Sequence, residues 1–77
     1  MRVEVNDYII IDSGICHVKP TFKGTRVMVY TILEMLEAEA SFKEIIEAYP
    51  SLTNKHIRAA LDFAAHLTER RFDLIPA

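Results

Sequence analysis

Four neighbouring polar residues carry the side chains best suited to chemistry in this sequence: Thr53, Asn54, Lys55 and Arg58. An asparagine amide can pair with adenine, and arginine or lysine can pair with guanine, so these residue types can bind the exposed edges of DNA bases. The alternative interpretation is a solvated helix face that carries its own N-terminal cap. The choice between them depends on the element that presents these side chains.

The spacing of cysteine, histidine and carboxylate residues along the sequence predicts neither a catalytic site nor a metal site. Cys16 and His17 are adjacent, and neighbours in a strand point to opposite faces, which argues against a nucleophile–base pair. His56 and His66 lie ten residues apart, which matches no metal-ligand spacing. No two carboxylates are placed for acid–base catalysis. We therefore expect no enzyme activity, no metal and no cofactor.

A second group of cations, Lys19, Lys23 and Arg26, lies around Gly24. Arginine binds carboxylates and phosphates through paired hydrogen bonds, so this loop is a candidate for binding an acidic partner. The competing interpretation, which we favour, is structural. Gly24 would permit a tight turn, and Arg26 would brace it by bonding loop carbonyls.

The first 28 residues are predicted as short strands and turns. Val3 and Val5 alternate with polar residues, Asn6 and Asp7 form a turn, and residues 8–11 form a second strand. Three consecutive isoleucines do not alternate. We therefore expect Ile10 to face away from the core and to need cover, for example from a second subunit.

The hydrophobic period then changes from 2 to 3.6, which predicts three helices. The first covers about residues 29–38. The second begins at a capping box, in which Ser41 and Glu44 satisfy each other's backbone amides, and it ends before Pro50. Thr53 is the predicted N-cap of the third helix, which extends to residue 71.

A helix followed by two helices with a tight turn between them is typical of the helix-turn-helix motif. In that motif the N-terminal part of the last helix meets DNA bases, which is where the four polar residues lie. The predicted fold is a mainly α single domain over residues 1–77. It has a β-arm and loop at 1–28, a three-helix core at 29–71 and a tail at 72–77. Candidate partner contacts in the tail are the apolar residues Phe72, Leu74 and Ile75.

Composition limits the possible partners. Hydrophobic residues make up 51% of the chain, more than we expect a domain this small to bury, which predicts a homodimer or a bound partner. The net charge of −2 lacks the strong positive excess of a dedicated nucleic-acid binder. Acidic residues concentrate in residues 31–50, whereas the third-helix region is slightly basic. One cysteine, no signal-peptide pattern and no long apolar run predict a cytoplasmic protein without a membrane span.

Residues 15–29, Ile-Cys-His-Val-Lys-Pro-Thr-Phe-Lys-Gly-Thr-Arg-Val-Met-Val, resemble the opening motif of the domain-of-unknown-function 433 family, roughly I-C-G-G-K-P-x-I-x-G-T-R-I-P-V. Residues 41–64 are similar to the family's S-x-E-E-I-L-x-x-Y-P-x-L-T-x-E-x-I-x-A-A-L-x-Y-A. The resemblance implies a helix-turn-helix, homeodomain-like fold. Many members resemble VapB-type antitoxins encoded beside a PIN-like ribonuclease toxin, which implies DNA and such a toxin as partners.

The chain departs from the family pattern at three places. His17 and Val18 replace a glycine pair, Met28 replaces a common proline, and Glu39 replaces a helix-ending glycine. We therefore expect a differently shaped turn near Val18. Without that glycine, we also expect the first helix to need some other C-cap.

The leading hypothesis is a non-catalytic helix-turn-helix protein of antitoxin type that binds DNA as a homodimer and binds a PIN-like toxin. The predicted DNA-binding residues are Thr53, Asn54, Lys55 and Arg58. The predicted partner-binding residues are Lys19, Lys23, Arg26, Phe72, Leu74 and Ile75. The alternative is a protein–protein interaction module that does not bind DNA, favoured by the acidic pI of about 5.8 and the surplus of apolar residues.

Overall fold

The computed structural model describes residues 1–14 and 18–72, with side chains described through residue 69. The described elements are β1 (Arg2–Glu4), β2 (Ile9–Asp12), β3 (Thr21–Phe22), α1 (Val29–Glu37), α2 (Phe42–Ala48) and α3 (Asn54–Phe72). The predicted fold class, three helices with a short N-terminal β element, is confirmed. None of the described helices combines the length and hydropathy needed to cross a bilayer.

The strands form an antiparallel sheet in the order β1-β2-β3. The predicted turn between β1 and β2 is confirmed: the Asn6 side-chain carbonyl accepts hydrogen bonds from the backbone N–H groups of Tyr8 at 2.8 Å and Ile9 at 2.9 Å. An asparagine that bonds the backbone two and three residues ahead stabilises a chain reversal. This turn fixes the register in which Val3 lies opposite Ile11.

The third strand occupies a segment that the sequence predicted as loop. Thr21 pairs with Ile10, and Phe22 pairs with Ile9. Ile10 is only 3% exposed and Thr21 is fully buried. The expectation that Ile10 needs cover from a second subunit is therefore wrong, because both members of this pair are buried within a single chain.

One hydrophobic core joins the sheet to all three helices. Ile9 and Phe22 enter it from the sheet, and Ile32 enters it from the middle of α1. Its other fully or almost fully buried members are Val29, Ile45, Leu52, Ile57 and Ala60. Because α3 contributes Ile57 and Ala60 early in its length, its N-terminal half is the part held firmly against α1, α2 and the sheet.

The ends of the helices agree with the predicted caps at α2 but not at α1. Ser41 Oγ accepts from the Glu44 N–H at 3.1 Å, and Glu44 Oε1 accepts from the Ser41 N–H at 2.8 Å, so the capping box is confirmed. These hydrogen bonds from Ser41 lower the pKa of the Glu44 carboxyl. At the end of α1, Glu39 has a φ of 70°, a left-handed conformation that favours glycine.

The expectation of a different C-cap for α1 is wrong. The Glu39 N–H donates to the Leu36 carbonyl at 2.9 Å, and the Ala40 N–H donates to the Met35 carbonyl at 2.9 Å. These are the two bonds of a Schellman motif, which glycine usually completes. Val18 likewise has a φ of 68° at a position where the family motif has glycine. Cys16 and His17 lie outside the described residues.

Candidate nucleic-acid interface

The connection between α2 and α3 sets the angle at which α3 begins. The Tyr49 N–H donates to the Ile45 carbonyl at 2.9 Å, and the Leu52 N–H donates to the Tyr49 carbonyl at 3.0 Å. Leu52, which precedes α3, and Ile57, which follows its start, are both buried. The backbone hydrogen bonds before α3 and the buried Leu52 and Ile57 together hold the first turn of α3 in a fixed direction.

All four predicted DNA-binding residues are exposed at this end of α3. Lys55 and Arg58 line one shallow, open depression, together with the Asn6–Asp7 turn. Asn54 lies one turn before Arg58, so the two side chains share a helix face. Neither Lys55 nor Arg58 forms an ion pair with any residue that the structure describes. The arrangement presents two cations and an amide to solvent beside a fixed helix start.

The sequence analysis missed the role of His56, which lies among these residues. Its Nδ1 accepts a hydrogen bond from the Thr53 backbone N–H at 3.0 Å, and the Thr53 hydroxyl lies 2.9 Å from the same nitrogen. A ring nitrogen that accepts a hydrogen bond carries no proton, so this contact requires the neutral imidazole. The spacing Thr-x-x-His corresponds to that of a capping box, with an imidazole in place of the usual carboxylate.

The His56 ring also connects α3 to the sheet. Its centroid lies 4.8 Å from that of Tyr8 and 5.7 Å from that of Phe22, both in edge-to-face geometry. Such aromatic contacts are favourable beyond the area they bury. Burial lowers the pKa of His56, which favours the neutral form that the Thr53 contact needs. The sheet therefore stabilises the start of the candidate DNA-binding helix directly.

The described partner-binding candidates make contacts within the chain. Lys23 Nζ lies 3.0 Å from Glu4 Oε2, and the pKa of the Glu4 carboxyl is lowered by this hydrogen bond and by the charge of Lys23. Lys19 Nζ lies 5.4 Å from the centre of the Tyr30 ring, within reach of a cation–π contact. Arg26 is exposed. The Phe72 side chain, Leu74 and Ile75 lie outside the described side chains.

The Gly24 turn has a structural basis. Gly24 has a φ of 73°, a conformation that glycine adopts without steric cost. The Thr25 hydroxyl donates to the Phe22 carbonyl at 2.9 Å and accepts from the Val27 N–H at 3.0 Å. Thr25 thus braces the turn from β3 toward α1.

Carboxylates lie both near this end of α3 and away from it: Asp7 and Asp62 line the same depression as Lys55 and Arg58. The acidic residues of α1 and α2 are exposed, namely Glu34, Glu37, Glu44 and Glu47. Among the residues that the structure describes, no cluster of histidine, cysteine, aspartate or glutamate is arranged to hold a metal ion. A polyanion would be repelled by the exposed carboxylates of α1 and α2 and attracted to exposed cations, of which Lys55 and Arg58 lie together at the start of α3.

Comparison with known proteins identifies a family. The family described as "Protein of unknown function (DUF433)" matches residues 9–64. The chain is similar to a crystal structure of a DUF433 member protein from Anabaena variabilis, with a TM-score of 0.76 and 27% identity over 86% of the chain. The chain spans 65% of the length of that solved chain. Among curated proteins, none matches at a significant level.

Proposed function

We propose that this chain, which belongs to the DUF433 family, is a non-catalytic helix-turn-helix protein of antitoxin type that binds DNA as a homodimer. The observation that carries the proposal is the exposure of Asn54, Lys55 and Arg58 on the first turns of a helix whose start is fixed by buried contacts. Side chains in that position are the ones that read base edges in helix-turn-helix proteins.

The electrostatics predict how such binding depends on salt. Lys55 and Arg58 give two cations per protomer, or four in a dimer. If each neutralises one phosphate, raising salt from about 50 to about 200 mM weakens binding on the order of a hundredfold. The acidic α1 and α2 would face away from the duplex. A dimer is proposed because two half-sites multiply the limited number of contacts that one small domain makes.

The test is fluorescence anisotropy of the full chain with a labelled duplex from the region upstream of its own gene, against a scrambled duplex. Lys55→Ala and Arg58→Ala are each expected to weaken specific binding about tenfold, as for loss of one good base or phosphate contact. Lys19→Ala is the matched control, because Lys19 lies against Tyr30 and not on α3. Equal affinity for both duplexes, or no loss in either α3 variant, would rule out α3 as the DNA-binding element.

We propose a PIN-like ribonuclease toxin as the protein partner. The support is the resemblance of many family members to antitoxins, together with an exposed arginine, Arg26, of the type that binds acidic pockets. Co-expression with the PIN-like product of an adjacent gene, followed by size-exclusion chromatography, should give a complex that Arg26→Ala weakens. Separate elution of the two parent proteins would contradict this part of the proposal.

A second candidate function is a protein–protein interaction module without DNA binding. The exposed acidic residues of α1 and α2 favour it, as does the 49% exposure of Tyr30, a residue type enriched in interfaces. The anisotropy experiment separates the two functions. A module of this kind would have no salt-sensitive affinity for either duplex, yet it would bind its protein partner.

A further inference from the structure

The strand β1 forms an open edge of the sheet. The order β1-β2-β3 gives it a neighbour on one side only, among the residues that the structure describes. All three of its residues are exposed, and the Val3 side chain is 47% exposed although it is apolar. An open edge presents backbone donors and acceptors with which another strand can pair. Which strand fits depends on the residues whose backbone groups point outward and on their charges.

The hydrogen bonds to β2 identify those residues. The Met1 carbonyl accepts from the Ser13 N–H at 2.9 Å, so the Met1 backbone faces β2. Backbone groups alternate between the two sides of a strand, so Val3, two residues further on, also faces β2. The N–H and C=O groups of Arg2 and Glu4 therefore point to the open edge. These two residues carry opposite charges on either side of Val3.

We propose that β1 pairs with β1 of a second copy of this chain, antiparallel about a two-fold axis at Val3, with Arg2 of each copy opposite Glu4 of the other. Both members of this pair point their backbone groups outward, so each pair forms two hydrogen bonds, and symmetry supplies the pair twice. An axis at Arg2 or at Glu4 would set like charges against each other. An axis between two residues would oppose an outward-facing residue to an inward-facing one.

The pairing covers the exposed side chain of Val3. Val3 lies opposite Ile11, and Ile9 lies opposite Phe22, so Val3 is on the face of the sheet that bears the core residue Phe22. At the two-fold axis the two Val3 residues form a pair without hydrogen bonds between them, with Cα atoms roughly 4.5 Å apart. Each valine then removes apolar surface of the other from water.

The opposite face of the sheet carries the charges, and they complement each other. Glu4 Oε2 lies 3.0 Å from Lys23 Nζ, and the Glu4 side chain remains 64% exposed. Its second carboxylate oxygen can accept from Arg2 of the other copy. Within its own chain, Arg2 forms no ion pair with any residue that the structure describes. Opposite charges that face each other across two strands stabilise the pairing, which favours a second copy over a strand without this alternation.

The two-fold axis also determines where the helices lie. The His56 ring of α3 contacts Phe22 at 5.7 Å, so α3 packs on the same face of the sheet as Val3. An axis that relates two neighbouring antiparallel strands is perpendicular to their sheet, so it keeps both α3 helices on one side. Such a dimer can present both helices to one DNA duplex. This step rests on the proposed function, whereas the strand pairing rests on register and charge alone.

The first test is cysteine crosslinking of the full chain, with Cys16→Ser introduced so that no other thiol is present. Val3→Cys is expected to give a covalent dimer under mild oxidation, because a Cα separation of about 4.5 Å lies within the range of disulfides. Arg2→Cys is the matched control on the same strand. Its two copies are two residues out of register, roughly 8 Å apart, which is too far to join.

A mixture of variants tests the register itself. The Arg2→Cys and Glu4→Cys variants, each expected to stay uncrosslinked alone, should form a covalent heterodimer when mixed, because these positions lie opposite each other. A Val3→Cys variant that crosslinks no more than Arg2→Cys would overturn the proposal. So would a mixture that crosslinks no more than its two components.

Sedimentation equilibrium over a micromolar concentration series tests the contribution of charge. The parent chain is expected to dimerise, and Arg2→Glu is expected to raise the dimer Kd about tenfold, because it sets carboxylates against each other at both pairs. Lys43→Glu is the matched control, since it makes the same change in charge at an exposed position of α2. A monomeric parent, or an Arg2→Glu variant that dimerises like the control, contradicts the pairing.

The outcomes separate this inference from the proposed function. A chain that crosslinks through Val3 but has no specific affinity for DNA would refute only the proposed function. A chain that binds its duplex but does not crosslink through Val3 would refute only the strand pairing.

Discussion

Glu39 ends α1 in a left-handed conformation, with a φ of 70°, and replacing it by glycine should stabilise the protein. A residue with a Cβ in this region costs about 1–2 kcal/mol. Glycine has more freedom in the unfolded chain, which reduces the gain in the free energy of unfolding by about 0.5–1 kcal/mol. The hydrogen bonds of the Schellman motif join backbone atoms only and remain in the variant. Glu39→Gly is therefore expected to raise the free energy of unfolding by about 1 kcal/mol.

The assay is urea unfolding followed by far-ultraviolet circular dichroism, with thermal melting as a second measurement. A gain of about 1 kcal/mol corresponds to a Tm increase of about 4–8 °C for a domain of this size. Glu34→Gly is the matched control: Glu34 is exposed within α1, where the same substitution costs about 1 kcal/mol. The same substitution is thus expected to raise the free energy of unfolding at Glu39 and to lower it at Glu34, five residues earlier.

A third variant separates backbone strain from charge. Glu39 places a negative charge near the negative end of the α1 dipole, so removing that charge is by itself a second source of stability. Glu39→Gln removes the charge and keeps the left-handed strain. If Glu39→Gln stabilises as much as Glu39→Gly, or if Glu39→Gly does not stabilise, the argument from backbone conformation is refuted.

Three further predictions concern other positions. Val18→Gly should raise the free energy of unfolding by about 1 kcal/mol in the same urea assay, because Val18 has a φ of 68°. Ser41→Ala should lower it by about 1 kcal/mol through loss of the α2 cap, whereas Ser41→Thr should retain most of it. Burial lowers the pKa of His56 from 6.5, so the unfolded chain binds this proton more readily and the stability contribution is lost as pH falls below about 6.5. His56→Phe should flatten the pH dependence of the urea midpoint between about pH 7.5 and 5.5; an unchanged slope would contradict this assignment.

The helices could be predicted because their signals are local. The first helix was predicted over residues 29–38 and is observed at Val29–Glu37. The start of the second was given by Ser41 and Glu44, three residues apart, and the structure has both bonds of that capping box. Apolar periodicity and cap residues act within one or two turns of chain, so a single sequence contains the information needed to place them.

The strand β3 and the end of α1 could not be predicted in the same way. Thr21–Phe22 is too short to show a period, and it is a strand only because β2 lies beside it. Glu39 was expected to change the cap because glycine is preferred there. The backbone bonds of the cap and the packing of α1 instead impose the glycine conformation on a glutamate, and the cost is absorbed by the rest of the fold.

At the candidate interface, the sequence predicted which side chains are exposed but not what fixes them. The sequence shows that Thr53 and His56 are three residues apart. It does not show that the rings of Tyr8 and Phe22, from distant parts of the chain, pack against His56. No local pattern places those rings beside His56. The pH prediction for His56 therefore depends on tertiary structure that periodicity alone does not contain.

The sheet has a different part in the proposed function from the one a free N-terminal arm would have. Lys23 is paired with Glu4, and Tyr8 and Phe22 pack against His56 at the start of α3. An arm that reached out to a toxin would have to break these contacts, at a cost that the complex must recover. The sheet is better suited to holding the first turn of α3 rigid. A toxin would then have to bind the folded surface around Arg26 rather than a detached arm, so toxin binding should leave the His56 contacts intact.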